Sequence, residues 1–352
     1  MVNKFLLSIC IPTYMRCKNV EKLLENIIPI CKELNIQICV SDNASLDDTE
    51  LVCKKYSTEY SNLIYVKQSE NTVSDNFYHA ISISNGEYVW LLGDNDLPTA
   101  ELIKKIYSFC ESKKYGVVIL HEYQNIYNKK LQKDSYIQVY ENKEYQPDEY
   151  NDLLCELGCS MHLISNVVIE REAWNFSIDY YMFFKKYFPN SEHIGIEFKY
   201  IANCQKPSYF IYDTPLAITE VVNSKYPDDY KQIDNYKTIY GNIRRVRNWH
   251  DMFSNIERAF LNLQSFGYSY EAVTKALKIR ENVDSRLSKT YSLFPLIHLK
   301  GTSYDDYLIM INDLHFIRWN IIKKINVFIS KCIPRKFCKN LYNIYANLKK
   351  KK

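Results

Sequence analysis

The stretch Tyr88-Val89-Trp90-Leu91-Leu92-Gly93-Asp94-Asn95-Asp96-Leu97-Pro98 decides the fold class. Its first five residues are apolar and β-forming, which predicts a strand buried on both faces. The run then stops at a glycine, two carboxylates two residues apart, and a proline. Carboxylates at the end of an apolar strand are costly unless a positive charge or water reaches them. A hard divalent cation with oxygen ligands, Mn2+ or Mg2+, suits Asp94 and Asp96, with substrate phosphates completing its shell.

Toward the N-terminus the same grammar repeats. Leu6–Ile11 reads as a strand halted at Pro12, Val20–Leu34 as a helix, and Ile36–Val40 as a second strand. A helix over Asp47–Tyr60, a strand at Leu63–Val66 and a helix over Ser74–Ser84 lead to the opening stretch. Strands alternating with helices imply βαβ units and a mostly parallel sheet flanked by helices, an α/β fold. In such sheets ligands bind beyond the carboxyl ends of the strands, which selects the loops after strands one, two and four. The first loop offers Pro12, Thr13, Tyr14 and Arg16, with a guanidinium suited to phosphate or a base. The second offers Asp42, placed too early to cap the next helix and suited to a ribose hydroxyl or the ring N–H of a uracil-type base. Each loop alone also fits an ordinary strand-to-helix connection; their combination is what points to a nucleotide.

Toward the C-terminus the pattern predicts a helix over Thr99–Lys113 and strands at Gly116–His121, Met161–Glu170 and Tyr209–Ile218. The polar stretch Asn125–Tyr145 reads as a hairpin or an excursion. A change of character near Asn223–Asp229 places a boundary, with residues 1–225 as one domain (a nucleotide half to about 120, an acceptor half from 121) and 226–352 as a helical region. Its helical patterns cover about 236–263, 270–287 and 304–330.

Composition limits the possibilities. The 352 residues are 47% hydrophobic and 24% charged, which excludes a disordered chain. Net charge is +4, yet Leu314–Lys352 holds 11 Lys and Arg and no acid, leaving 34 basic against 41 acidic residues before it. An acidic body argues against nucleic acid binding by the domain. The basic tail alternates charges with apolar residues at helical spacing. It reads as an amphipathic segment for an anionic membrane surface, with a packed helical cap or an oligomer contact as the alternatives. The eleven cysteines follow no metal-type spacing and read as reduced thiols. With no apolar run of 18 residues, the expected location is cytoplasmic, peripheral on the inner face of the membrane.

The segments SICIPTYMR, VSDNASLDDT, Asn71…Asn76…Ala80 and GEYVWLLGDNDLP, in this order, resemble the family 2 glycosyltransferases of GT-A (Rossmann-like) fold. The LLGDND form is similar to the bacterial branch that builds O-antigen, capsule and other surface glycans. The resemblance is strong over residues 5–120 and loose over 155–220. It implies an inverting, metal-dependent transfer from a nucleotide-diphosphate sugar, with a UDP-sugar favoured, to a glycan or lipid-linked acceptor. Pro12, Thr13, Tyr14, Arg16, Asp42 and Asn71 would hold the nucleotide. Asp96 would ligate the metal, and Asp94 would contact ribose or the metal through water. Met15 stands where Asn is common, and Val73 where Gly often follows Asn71. The base is expected in an acidic pair before a helix, which here is Glu192-His193 ahead of a helix over Ile196–Asn203. His193 would take the proton; the rival reading is that Glu192 or Ser191 only caps the helix. Two other functions compete: a nucleotidyltransferase, disfavoured because PTYMRCKN lacks a glycine-rich phosphate loop, and a non-catalytic membrane-binding module, which has no use for the paired carboxylates.

Overall fold

A computed structural model describes residues 5–72, 75–124, 137–188, 191–218 and 257–283. The chain divides into two compact units, Met1–Tyr226 with Arg258–Ile279, and Pro227–Glu257 with Arg280–Lys352. The first contains almost all described residues. The tail over 314–352 and the helical pattern over 304–330 lie outside them.

The first unit opens with β1 (Phe5–Thr13), α1 (Cys17–Leu34), β2 (Gln37–Asp42), α2 (Thr49–Glu59), β3 (Leu63–Lys67), α3 (Asp75–Ser82) and β4 (Gly86–Leu91). β3, β2, β1 and β4 lie side by side, all parallel. Their apolar residues form the core with the inner face of α1, where Val20, Leu23, Leu24, Ile27 and Cys31 recur at helical spacing and are buried. The helix ends at Asn35, whose left-handed backbone (φ 53°) lets its N–H bond the Cys31 carbonyl.

After β4 come the two-residue β5 (Asp96–Leu97), α4 (Ala100–Ser112), β6 (Val117–Gln124), β7 (Lys143–Tyr145), α5 (Tyr150–Leu157), β8 (Val167–Glu170), α6 (Ile178–Tyr187), α7 (Glu192–Asn203) and β9 (Ser208–Ile218). The sheet continues β4-β8-β6-β9-β5, with β7 also on β9. β8 runs antiparallel between β4 and β6, so the sheet is mixed, parallel across β3-β2-β1-β4. The strand expected over Met161–Glu170 is confined to Val167–Glu170. Two 3-10 turns, Ser160–His162 and Ile164–Asn166, occupy the rest. The excursion ends in β7; residues 125–136 lie outside the described set.

Residues 258–279 return to this unit. α8 (Tyr270–Val283) faces α5 and the turn after it, where the Cys155 and Cys159 thiols donate to the carbonyls of Ala272 and Ala276. Tyr268 donates to the Phe198 carbonyl at 2.9 Å. All nine described cysteines are free thiols.

Candidate functional site

The loops leaving β1, β2 and β4 converge because their strands are adjacent and end in register: Thr13 pairs with Asp42, and Leu92 N–H bonds the Cys10 carbonyl. Asp42 is fully buried. Its Oδ1 accepts the Ser45 N–H at 2.9 Å, folding the turn, and its Oδ2 accepts the Tyr65 hydroxyl at 2.7 Å. Burial and the neighbouring carboxylate push the Tyr65 phenol well up, so it stays a donor. Asn76, also buried, bonds the Ser41 hydroxyl and backbone at the ends of β1 and β2, while Asn43 donates to the Asn71 side chain at 2.7 Å. Asp47 serves as a double cap: its carboxylate receives the N–H of Cys17 at the start of α1 and that of Thr49 at the start of α2.

The first loop carries Pro12 and Thr13 buried and Tyr14 half-buried, then Met15 in the left-handed region at φ 56°. Left-handed backbone favours Gly and Asn, so an Asn in this loop fits a conformation that Met15 adopts under compulsion. Its N–H bonds Ser45 Oγ, and its sulfur accepts the Leu46 N–H, so loop two holds loop one in that shape.

The two carboxylates after β4 are treated differently. Asp94 is 2% exposed, and both its oxygens are taken: Thr13 donates to one and the Arg16 guanidinium to the other, each at 2.8 Å. Burial raises its pKa against the opposing pull of Arg16. Asp96 receives the Ser165 hydroxyl on Oδ2, while Oδ1 has no hydrogen-bond donor among the described residues. Burial and the nearby Asp94 push its pKa up to about 6, against the stabilising Ser165 bond.

A divalent cation fits this donor set in one way. Among the described residues no three His, Cys, Asp or Glu side chains converge on a point, so no all-protein cage exists. Asp96 Oδ1 is a hard oxygen without a protein donor, and Asp96 carries the higher-energy ionised form that a cation relieves. Mg2+ and Mn2+ are commonly held by one or two carboxylates and completed by phosphates and water.

Glu192 and His193 stand in the first turn of α7 rather than ahead of it, and both are buried. Ser191 precedes the helix but makes no side-chain cap bond. His193 Nε2 lies 3.0 Å from the His162 carbonyl, so it carries the proton and Nδ1 the lone pair; Phe77 meets the ring edge-on. Burial lowers the His193 pKa to about 4, and Nδ1 has no partner. One turn on, Glu197 is 2% exposed with Oε2 also unpartnered, and burial raises its pKa well above the carboxylate range.

The sequence does not single out Ser165 or Tyr65, and it offers Glu197 only behind His193 and Glu192 as a candidate base. Ser165 was hidden by the expectation of a continuous strand. Tyr65 was readable only through the register that sets β3 beside β2. Glu197 had a weak signal, an acid four residues after His193 in a mostly apolar helix.

The family model described as glycosyl transferase family 2 matches residues 8–170. Abequosyltransferase RfbV of Salmonella typhimurium is 30% identical over 187 residues, 50% of this chain and 55% of that protein. The minor teichoic acid biosynthesis protein GgaB of Bacillus subtilis is 28% identical over 87 residues, 24% of this chain and 10% of that one. The chain thus spans about half the length of RfbV and a tenth of GgaB. Among solved structures, S. aureus TarS 1-349 in complex with UDP-GlcNAc matches with a TM-score of 0.54 at 15% identity, covering 88% of this chain and 79% of that one, which shows the GT-A fold. Over residues 8–170, the span that holds Asp42, Asp94, Asp96 and Ser165, the chain is similar to glycosyl transferase family 2.

Proposed function

We propose that the protein transfers a sugar from a nucleoside-diphosphate donor to a hydroxyl of a glycan or lipid-linked acceptor in bacterial surface polysaccharide synthesis, with inversion at the anomeric carbon. The observation that carries the reading is the union of Arg16, Asp42, Asp94 and Asp96 at the carboxyl ends of β1, β2 and β4, inside the family-matched span. RfbV is named as an abequosyltransferase and GgaB for minor teichoic acid biosynthesis, which supports the process.

Asp42 keeps a second lone pair on each oxygen for a base N–H or ribose hydroxyl, and Tyr65 and the Ser45 N–H hold the carboxylate in place. A UDP-sugar is the favoured donor. Arg16, held by Asp94 at the carboxyl ends of the strands, would meet the diphosphate through its guanidinium. Asp96 would hold Mn2+ or Mg2+ with the diphosphate; when bound, the ion neutralises charge on the leaving group. The bond from the anomeric carbon to the β-phosphate oxygen breaks as the acceptor oxygen bonds the opposite face of that carbon. The acceptor proton passes to the base at the start of α7. His193 is neutral there, with its tautomer set by the His162 carbonyl and its Nδ1 lone pair unclaimed, and Glu192 stands beside it. Membrane docking through the basic tail belongs to the same reading, resting on the charge of 314–352 alone.

The test is transfer by purified protein from a panel of nucleotide sugars, with Mn2+ and with chelator, to lipid-linked acceptors. Turnover with one donor, lost on chelation and in Asp96→Ala, is expected. Turnover unchanged in Asp96→Ala overturns the reading, and unchanged turnover in both His193→Ala and Glu192→Gln moves the base elsewhere.

A further inference from the structure

Ser165 is 1% exposed and is held from three directions. Its carbonyl accepts the indole N–H of the buried Trp90 at 2.8 Å. Its hydroxyl oxygen accepts the Gly93 N–H at 2.8 Å, and its hydroxyl hydrogen goes to Asp96 Oδ2. The relay from Gly93 N–H through Ser165 Oγ to Asp96 is closed by close approach: a Cβ on residue 93 would lie 2.8 Å from Asp96 Oδ2 and 3.3 Å from Ser165 Oγ. A side chain there would displace the carboxylate, so glycine is required for contact rather than for backbone freedom. The serine hydroxyl has only one hydrogen to give, and the Gly93 N–H, arriving at its oxygen, leaves that hydrogen for Asp96.

The relay commits one Asp96 oxygen to the protein and leaves the other without a donor, whereas Asp94 has both oxygens committed. The same short segment also presents the His162 carbonyl that orients His193, and Asn166, whose side chain donates to the buried Glu122 at 3.1 Å. One polar strut over residues 160–166 therefore touches the carboxylate after β4, the bulged strand β6 and the start of α7.

We propose that Ser165 is a positioning residue that selects Asp96, rather than Asp94, as the protein ligand of a divalent cation, by holding Oδ2 inward and turning Oδ1 to the ion. The proposal rests on the metal-dependent reading above. Partners that orient a metal ligand commonly contribute 10- to 100-fold to affinity.

The experiment titrates Mn2+ into the full-length protein saturated with UDP, following free Mn2+ by its EPR signal, alongside thermal melts and the Mn2+ dependence of transfer. Ser165→Ala is expected to weaken Mn2+ binding about 10-fold and to raise the Mn2+ concentration for half-maximal transfer equally. kcat at saturating Mn2+ should hold to within about 3-fold, and UDP binding in chelator should not change. Ser165→Thr, which keeps the hydroxyl, should restore binding if it melts like the parent. In an Asp96→Asn background, Ser165→Ala should cause no further loss. Equal Mn2+ binding by Ser165→Ala and the parent, with Asp96→Asn deficient, overturns the positioning role and leaves the metal reading standing. A parent that binds no Mn2+ with UDP overturns both. Should Ser165→Ala not fold, Ser165→Cys, a near-isostere and weaker donor, decides by the same affinity comparison.

Discussion

The parallel side of the sheet and the start of α7 differ in how they treat buried polar atoms. Around β1, β2 and β4, Asp42, Asp94, Asn43 and Asn76 all have partners on neighbouring strands or loops. Around α7, His193 Nδ1, Glu197 Oε2 and, on the strut, Asn166 Oδ1 have none. A buried polar atom without a partner costs on the order of 1–3 kcal/mol. The first region has its geometry fixed before any ligand arrives. The second holds groups whose partner has to be supplied by a ligand or ordered water.

The sharpest way to break this comparison is the carboxylate left half-satisfied. Asp96→Asn should lower transfer by at least about 100-fold, the order found when a transition-state charge loses its preorganised partner. Its melting temperature should hold or rise, since a buried like charge beside Asp94 is removed. A large fall in stability would place Asp96 with the satisfied group instead.

Asp94→Asn tests the opposite case. Arg16 and Thr13 would face an amide in place of a carboxylate, so unfolding free energy should fall by on the order of 1–3 kcal/mol, read by urea denaturation. The size is held down because the Arg16 side chain is 33% exposed and water can replace part of the pair.

On the α7 side, Glu197→Leu removes an unpartnered carboxyl and should raise the melting temperature, by up to about 1–3 kcal/mol of stability, while lowering transfer. A destabilised variant would mean that Glu197 has a structural partner and that the contrast is false.

The pH response of stability sharpens the comparison with the smallest signal. His193 has its folded pKa depressed to about 4, so its contribution is complete above about pH 6.5 and is lost as pH falls toward 4. Asp96 has its folded pKa raised to about 6, so its contribution is complete below about pH 3.9 and is lost as pH rises through 6. Between pH 4 and 6 the two oppose each other. In metal-free protein, Asp96→Asn should therefore make the slope of stability against pH more positive by about 1.4 kcal/mol per unit, measured by urea midpoints across that range.

Much of the parallel half was legible because its signals are local. Apolar runs of five or six residues broken by Pro12, Asp42 and Gly93 mark β1, β2 and β4 wherever they lie, and one topological rule puts their ends together. Asp94, Asp96 and Asp42 were found that way. Legibility failed where an apolar run was neither strand nor helix. Met161–Glu170 looks like a strand, yet the chain makes two 3-10 turns because Ser160, His162, Ser165 and Asn166 bond groups 6 to 75 residues away. Nothing in local propensity records such partners.

What the amino-acid order determined by itself is therefore the alternation of strand and helix, the carboxylates at strand ends and the segregation of positive charge into the last 39 residues, each set by nearest neighbours and spacing. Only the tertiary structure decided which carboxylate is spent and which is left with an open oxygen. That choice depends on Arg16 and Thr13 arriving from β1 and Ser165 from the strut before β8, and hydrogen bonds between segments so far apart exist only once the sheet brings the strands into register.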